Sequence, residues 1–134
     1  MNVLDENIVE AQWHLLLSRR IPVRKVGEDC GRSGMTDEEI IPFLHHQKPV
    51  TFFTRDQDFF RRHLCHPAYC LVYLDVCARE VASFVRRFLR HPAFRSWSKR
   101  KGKVIRVGHR GMRVWRLHGG TPEVLSWSTG GRLK

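Results

Sequence analysis

With 134 residues, 42% of them hydrophobic, the chain is long enough to bury the core of one domain. No window holds about 18 apolar residues in a row, which excludes a membrane-spanning helix. The acidic start MNVLDENIVE is unlike a signal peptide, so the expected location is the cytoplasm. The formal charge of +11 is placed unevenly: residues 1 to 75 carry 9 Lys/Arg against 11 Asp/Glu, and residues 76 to 134 carry 15 against 2. A basic half of that strength favours a polyanion such as nucleic acid, or an acidic protein partner.

In chain order, Asn2 to Asp5 reads as a short strand that ends in Asp5, with Glu6 and Asn7 next. A helix is expected from about Ile8 to Arg19, with Ile8, Ala11 and Leu15 inward and Trp13 or Leu16 beside them. Residues 22 to 26 (PVRKV) read as a second strand, and Gly27 to Gly34 as a polar, glycine-rich loop. Thr36 to Glu39 has the S/T-x-x-E form of a capping box and opens a helix. Glu39 thereby has a structural job, whereas a functional role stays open for Asp37 and Glu38.

The stretch VTFFTRDQDF, Val50 to Phe59, is the most informative. Its β-forming start carries no charge and ends abruptly in Arg55, Asp56 and Asp58, as a buried parallel strand does when it delivers acids to its carboxyl end. Asp56 has an alternative as the cap of a helix running from Gln57 to about Leu64. Leu71 to Asp75 (LVYLD) is a further buried strand, and Arg79 to His91 a clear amphipathic helix. Its inward stripe is Val81, Phe84, Val85, Phe88 and Leu89, with Arg79, Arg86, Arg87 and Arg90 on other faces.

The basic run Lys99-Arg100-Lys101-Gly102-Lys103 then leads into two β-like segments, Val104 to Val107 and Met112 to Leu117. They read as a hairpin decorated by Arg106, Arg110, Arg113 and Arg116. From Gly119 the chain is Gly/Ser-rich and reads as a loose tail on which Val124, Leu125 and Trp127 can dock. The expected organisation is one domain over 1–118, with 103–117 as an appended basic hairpin, and a tail over 119–134. The four cysteines, Cys30, Cys65, Cys70 and Cys77, form no C-x-x-C pair and are expected to be free thiols. His63, Cys65, His66 and Cys70 match none of the usual zinc spacings and straddle Pro67, which favours a plain loop.

Alternating strands and helices predict an α/β fold with a mainly parallel central sheet. The carboxyl ends of its strands share one edge, so Asp5 and Asp56 meet there, and the helix opened by Asp37 and Glu38 can lie beside them. Converging carboxylates repel unless a cation or a shared proton relieves them. Oxygen-rich sites of this kind suit Mg²⁺ or Mn²⁺. Such an ion can polarise a phosphodiester and activate water for hydrolysis, while the basic half holds the phosphate backbone.

Three motifs, V-L-D-E-N at 3–7, T-D-E-E-I at 36–40 and F-T-R-D-Q-D-F at 53–59, closely resemble those of the PIN-like domain proteins of prokaryotes, relatives of the VapC-type toxin ribonucleases. They lie in the same order and cover roughly the first 75 residues. LVYLDV and the R-F-L-R-H-P helix also look like the carboxyl half of one subgroup. The resemblance implies a three-layer α/β/α PIN-like fold, a Mg²⁺- or Mn²⁺-dependent endoribonuclease site and a toxin–antitoxin setting. By motif, Asp5, Asp37 and Asp56 match the family's catalytic and metal-binding acids, with Asp58 as a fourth. Glu38 is the alternate to Asp37, and Glu6 and Asn7 are supporting residues. Arg55 either contacts phosphate or pairs with an acid. The hairpin at 103–117 departs from a minimal domain of this kind.

On this reading the substrate is RNA, with DNA left open, and an acidic antitoxin protein is the expected partner. A homodimer is expected only by analogy with relatives. Phosphate contacts are assigned to Arg86, Arg87, Arg90, Lys99, Arg100, Lys101, Lys103, Arg106, Arg110 and Arg113. Two other classes compete: a non-catalytic nucleic-acid-binding module in which the acids are caps, and a protein-interaction unit whose basic face serves an acidic partner.

Overall fold

Val50–Thr54 is buried at all five positions, and a strand buried on both faces must lie inside a sheet. The computed structural model, which describes residues 1–128, places it there. The strands are β1 (Asn2–Leu4), β2 (Arg24–Lys25), β3 (Val50–Thr54), β4 (Tyr69–Leu74), β5 (Val104–Gly108), β6 (Gly111–Trp115) and β7 (Glu123–Ser126). They form one sheet in the order β2-β1-β3-β4-β5-β6-β7. The first five run parallel, and β6 and β7 continue antiparallel. The strand order reverses between β1 and β3, so a crevice opens at their carboxyl ends, where open α/β sheets bind ligands.

The helices are α1 (Glu10–Ser18), α2 (Asp37–His46), α3 (Val81–Arg90) and the short α4 (Trp97–Arg100). One face of the sheet, with Leu4, Phe53, Val72 and Ile105, packs on Leu16 of α1 and on Val81, Val85 and Phe88 of α3. The other face, with Val3, Phe52, Leu71 and Val104, packs on Ile40 and Leu44 of α2 and on Phe59. The α/β class with a mainly parallel sheet and helices on both faces is therefore present.

Two helices differ from expectation in detail. In α1 the inward positions are Gln12 and Leu16, with Ile8 just before it, whereas Ala11 is exposed and Leu15 is 38% exposed. A polar residue takes the inward place because its Oε1 accepts the Ala82 N–H at 2.8 Å, which satisfies an amide in the first turn of α3. The helix expected from Gln57 to Leu64 is instead two 3-10 turns, Gln57–Phe59 and Arg62–Leu64, separated by extended backbone at Arg61. By contrast, α2 begins with the capping box of Thr36 and Glu39, and Glu39 also pairs with Arg32.

The carboxyl-terminal strands are continuous with the domain rather than appended to it. β5 pairs parallel with β4 from Leu71↔Val104 to Leu74↔Val107 and then turns into β6. β7 adds to β6 with Met112 opposite Leu125, so part of the expected loose tail is the edge of the sheet; residues 129–134 lie outside the described range. Gly111 has φ +151°, and a Cβ there would sit 2.1 Å from the Leu125 carbonyl oxygen, so only glycine admits β7 at this distance. Trp127 closes the edge: its Nε1 donates to the Gly108 carbonyl at 2.7 Å, and the Arg87 guanidinium lies 4.3 Å from its ring.

The buried amide-to-amide contact of Gln12 gives a direct test of the helix pairing. Gln12→Leu keeps the volume but leaves the Ala82 N–H without a partner, so it should destabilise the fold by about 1–3 kcal/mol. Urea unfolding of the two proteins checks this.

Candidate metal-binding acidic site

The site grows from the end of β3. Thr54 is wholly buried, and its hydroxyl donates to Asp5 Oδ2 at 2.6 Å while accepting the Asp56 N–H at 3.0 Å. Because Asp5 follows β1 and Thr54 ends β3, this single hydroxyl joins the two strands at the point where the sheet order reverses. The other carboxylate oxygen of Asp5, Oδ1, accepts the Glu6 N–H at 2.7 Å. Burial raises the proton affinity of Asp5, the Thr54 and Glu6 donors oppose that, and the negative charge of Asp56 raises it further.

Asp56 turns the chain: its Oδ1 accepts the Asp58 N–H at 2.9 Å and so caps the 3-10 turn that follows. The capping role weighed for Asp56 from the sequence is real, and it leaves Oδ2 without a hydrogen bond among the described residues. Asp37 stands at the start of α2 across the crevice. Partial burial raises its proton affinity, and the charges of Asp56, Asp5, Glu38 and Asp58 raise it further. Asp37, Asp56 and Asp58 each offer a carboxylate oxygen, and these atoms lie within 4.8 Å of one another. An all-oxygen donor set of three acids, with only Asp58 in an ion pair among the described residues, is the chemistry that a hard cation relieves, so the three residues can hold a metal ion.

This trio exchanges Asp58 for Asp5 in the set expected from the sequence. Asp5 stands beside it with both oxygens engaged, and acts on it through charge and through Thr54. Glu38 is exposed and lines the same crevice as Asp37, Asp58 and Arg61. Glu6 faces elsewhere: its carboxylate accepts from Ser33 Oγ at 2.5 Å and Gly34 N–H at 2.7 Å, which lowers its proton affinity and pins the glycine-rich loop. Asn7 is exposed and makes no side-chain hydrogen bond among the described residues. Arg55 pairs with no acid among the described residues; its Nε donates to the Val76 carbonyl at 3.0 Å. The set His63, Cys65, His66 and Cys70 does not converge: Cys70 is buried in β4, Cys65 Sγ points to the Trp115 carbonyl, and His66 Nδ1 accepts the Ala68 N–H.

Two residues of the site have no counterpart in the sequence reading. The sequence places Thr54 at the polar end of the β-forming run, and nothing local marks its hydroxyl as a bridge. Arg61 reaches back to Asp58 at 3.2 Å and is the basic group that pairs with one of the three acids. Its signal was the RR pair following DQDFF.

The expected phosphate-binding residues divide into two ends of the sheet. Lys99, Arg100, Lys101 and Lys103 sit where β5 begins, opposite the acids. Arg100 is half-buried, donating to Thr51 Oγ1 at 3.0 Å and to the Phe94 carbonyl at 2.6 Å, and Lys99 donates to the Pro92 carbonyl. Thr51 and Thr54 are three residues apart on β3, roughly 10 Å at the usual rise, and Asp56 lies beyond Thr54. Arg86, Arg87 and Arg90 belong to α3, on the face away from α2, and Arg87 is stacked on Trp127. Only Arg106, Arg110 and Arg113 lie toward the end of the sheet that carries the acids, and Arg106 pairs with Asp75 at 2.5 Å.

No family model, curated protein or solved structure matches the chain.

Metal binding should compete with protons at Asp37. Its raised proton affinity means that cation affinity is lost, as pH falls, at a higher pH than an unperturbed aspartate would require. Without metal the sign reverses: the folded state holds more protons than the unfolded state, so stability declines as pH rises through the folded-state pKa of Asp37 and Asp5. A divalent cation at 100-fold excess over its Kd should stabilise the protein by about 2.7 kcal/mol. That gain should vanish in Asp56→Asn, and thermal melting across pH with and without the cation measures both trends.

Proposed function

We propose that this chain is a metal-dependent ribonuclease of the PIN-like class, hydrolysing RNA phosphodiesters with Mg²⁺ or Mn²⁺. The observation that carries the reading is the convergence of Asp37, Asp56 and Asp58 beside Asp5 at the topological switch point of a parallel sheet. The motif resemblance supplies the class, and it alone supplies the toxin–antitoxin setting and the acidic antitoxin partner.

A bound ion would lower the pKa of a water and polarise the phosphodiester. Asp37, Asp56 and Asp58 are the residues that would hold it. Thr54 and Asp5 fix the backbone at Asp56, so that its carboxylate stays directed into the crevice. Arg61 neutralises Asp58 in the free protein and is placed to pass to a phosphate oxygen when RNA arrives. The second reading, a binding module without catalysis, draws on the same capping bond of Asp56 and ion pair of Asp58, which are sufficient structural uses for both acids.

The two readings part on cleavage of a labelled RNA by the purified protein with Mn²⁺. Asp56→Asn and EDTA should each lower the rate by about 100-fold or more. Asp5→Asn, acting through Thr54, should cost about 10- to 100-fold. Equal cleavage by wild type and variants would remove these acids from the chemistry, and RNA binding with no cleavage would establish the binding module.

A further inference from the structure

Register and side-chain alternation place Thr54, Tyr73, Arg106 and Arg113 in one row across β3, β4, β5 and β6, on the face that carries α2. The row starts at the hydroxyl that holds Asp5 and spans three strand spacings, about 14 Å. On this face α2 packs with β1 and β3, and the segment of the two 3-10 turns reaches Tyr73 through Phe60 and Trp115 through Arg62, but no α-helix among the described residues covers the carboxyl half of β4, β5 and β6. What stands there is a groove of about 510 Å³ lined by Phe60, Arg61, Tyr73, Asp75, Arg106 and Arg113. A second groove, sharing Phe60 and Arg61, continues to Arg62, Trp115 and Leu117.

The chemistry of this surface alternates. Phe60 and Tyr73 form a ring pair at 6.3 Å, and the Arg62 guanidinium lies 5.9 Å from the centre of the Trp115 ring. Arg106 and Arg113 are directly opposite on neighbouring strands, an arrangement of like charges that costs stability unless an anion relieves it. Asp75 relieves Arg106, whereas Arg113 is exposed and has no ion-pair partner among the described residues. Sheet surfaces that interleave partly exposed rings with arginines bind unpaired nucleic acid, with bases on the rings and phosphates on the cations.

We infer that this open sheet face is the platform for an unpaired RNA strand, whose bases stack on Tyr73 and Trp115 and whose phosphates meet Arg113, Arg106 and Arg61. The assignment to RNA rests on the ribonuclease reading; the platform itself rests on charge complementarity, partly exposed rings and continuity with the acidic crevice through Arg61. A duplex presents no free base faces to the rings and is excluded from stacking. Arg86, Arg87 and Arg90, on α3 against the other face of the sheet, are outside the path.

Fluorescence anisotropy in EDTA, where cleavage is silent, tests this with a labelled RNA as a single strand and as a duplex of the same sequence. The single strand should bind tighter. Tyr73→Leu and Trp115→Leu should each weaken it at least about fivefold, the loss of one stacked base, while Tyr73→Phe retains wild-type affinity. Arg113→Gln should lower the slope of log affinity against log salt by about 0.7, and Arg90→Gln, on the other face, should leave it unchanged. Thermal melting confirms that each variant is folded, and Tyr73→Phe and Arg113→Gln keep the test intact if a ring deletion disturbs the sheet.

Equal binding of duplex, unchanged affinity in the platform variants, or an equal effect of Arg90→Gln and Arg113→Gln would overturn the inference. A DNA strand of the same sequence binding tighter than the RNA would overturn the assignment to RNA. Cleavage that depends on Asp56, with platform variants binding normally, would sink the platform and leave the ribonuclease standing. Platform-dependent binding without cleavage would do the reverse.

Discussion

The Thr54 hydroxyl is the interaction on which the corner of the molecule depends. A hydroxyl has one proton to donate and lone pairs to accept with, and here both functions are used in a fully buried position. Donation goes to the Asp5 carboxylate at the end of β1, and acceptance comes from the backbone N–H of Asp56. The two strands that flank the reversal of sheet order are thereby locked at their carboxyl ends. Without that lock the Asp5 carboxylate would lose its strongest compensation for burial, and Asp56 would be free to swing from the crevice.

Charge explains the remaining architecture of this edge. Four aspartates act on one another across the crevice, and the fold accepts that repulsion at a position that burial makes worse. Strain of this kind is retained where a site uses it. Arginines are placed near but not within the group: Arg61 touches only Asp58, and Arg106 is matched with Asp75 one strand further on. A negative phosphate backbone approaching the acids therefore meets the arginines of the open sheet face first.

Much of this was readable along the chain. The uncharged run before Asp56 announced a buried strand, the T-D-E-E spacing announced the start of α2, and the stripe of α3 announced a core-facing helix. Each is a local pattern, legible because a strand of period two or a helix of period 3.6 imposes it on adjacent residues. The misreadings are non-local. Gln12 faces inward because α3 brings the Ala82 N–H to it from 70 positions away. Residues 123–126 form a strand because Gly111 leaves room for Leu125.

The amino-acid sequence by itself determined the α/β class, the order of the elements, the acids at the ends of two strands and the one-sided accumulation of positive charge. Those follow from local propensity and composition. Only the tertiary structure decided which acids converge, that Asp58 joins Asp37 and Asp56 while Asp5 is held aside by Thr54. It also decided which basic residues share the acids' end of the sheet. Along the chain, Lys101 and Arg113 are equivalent members of one basic region. Strand direction separates them, because the turn before β5 and the row through Arg106 and Arg113 lie toward opposite ends of the same parallel sheet.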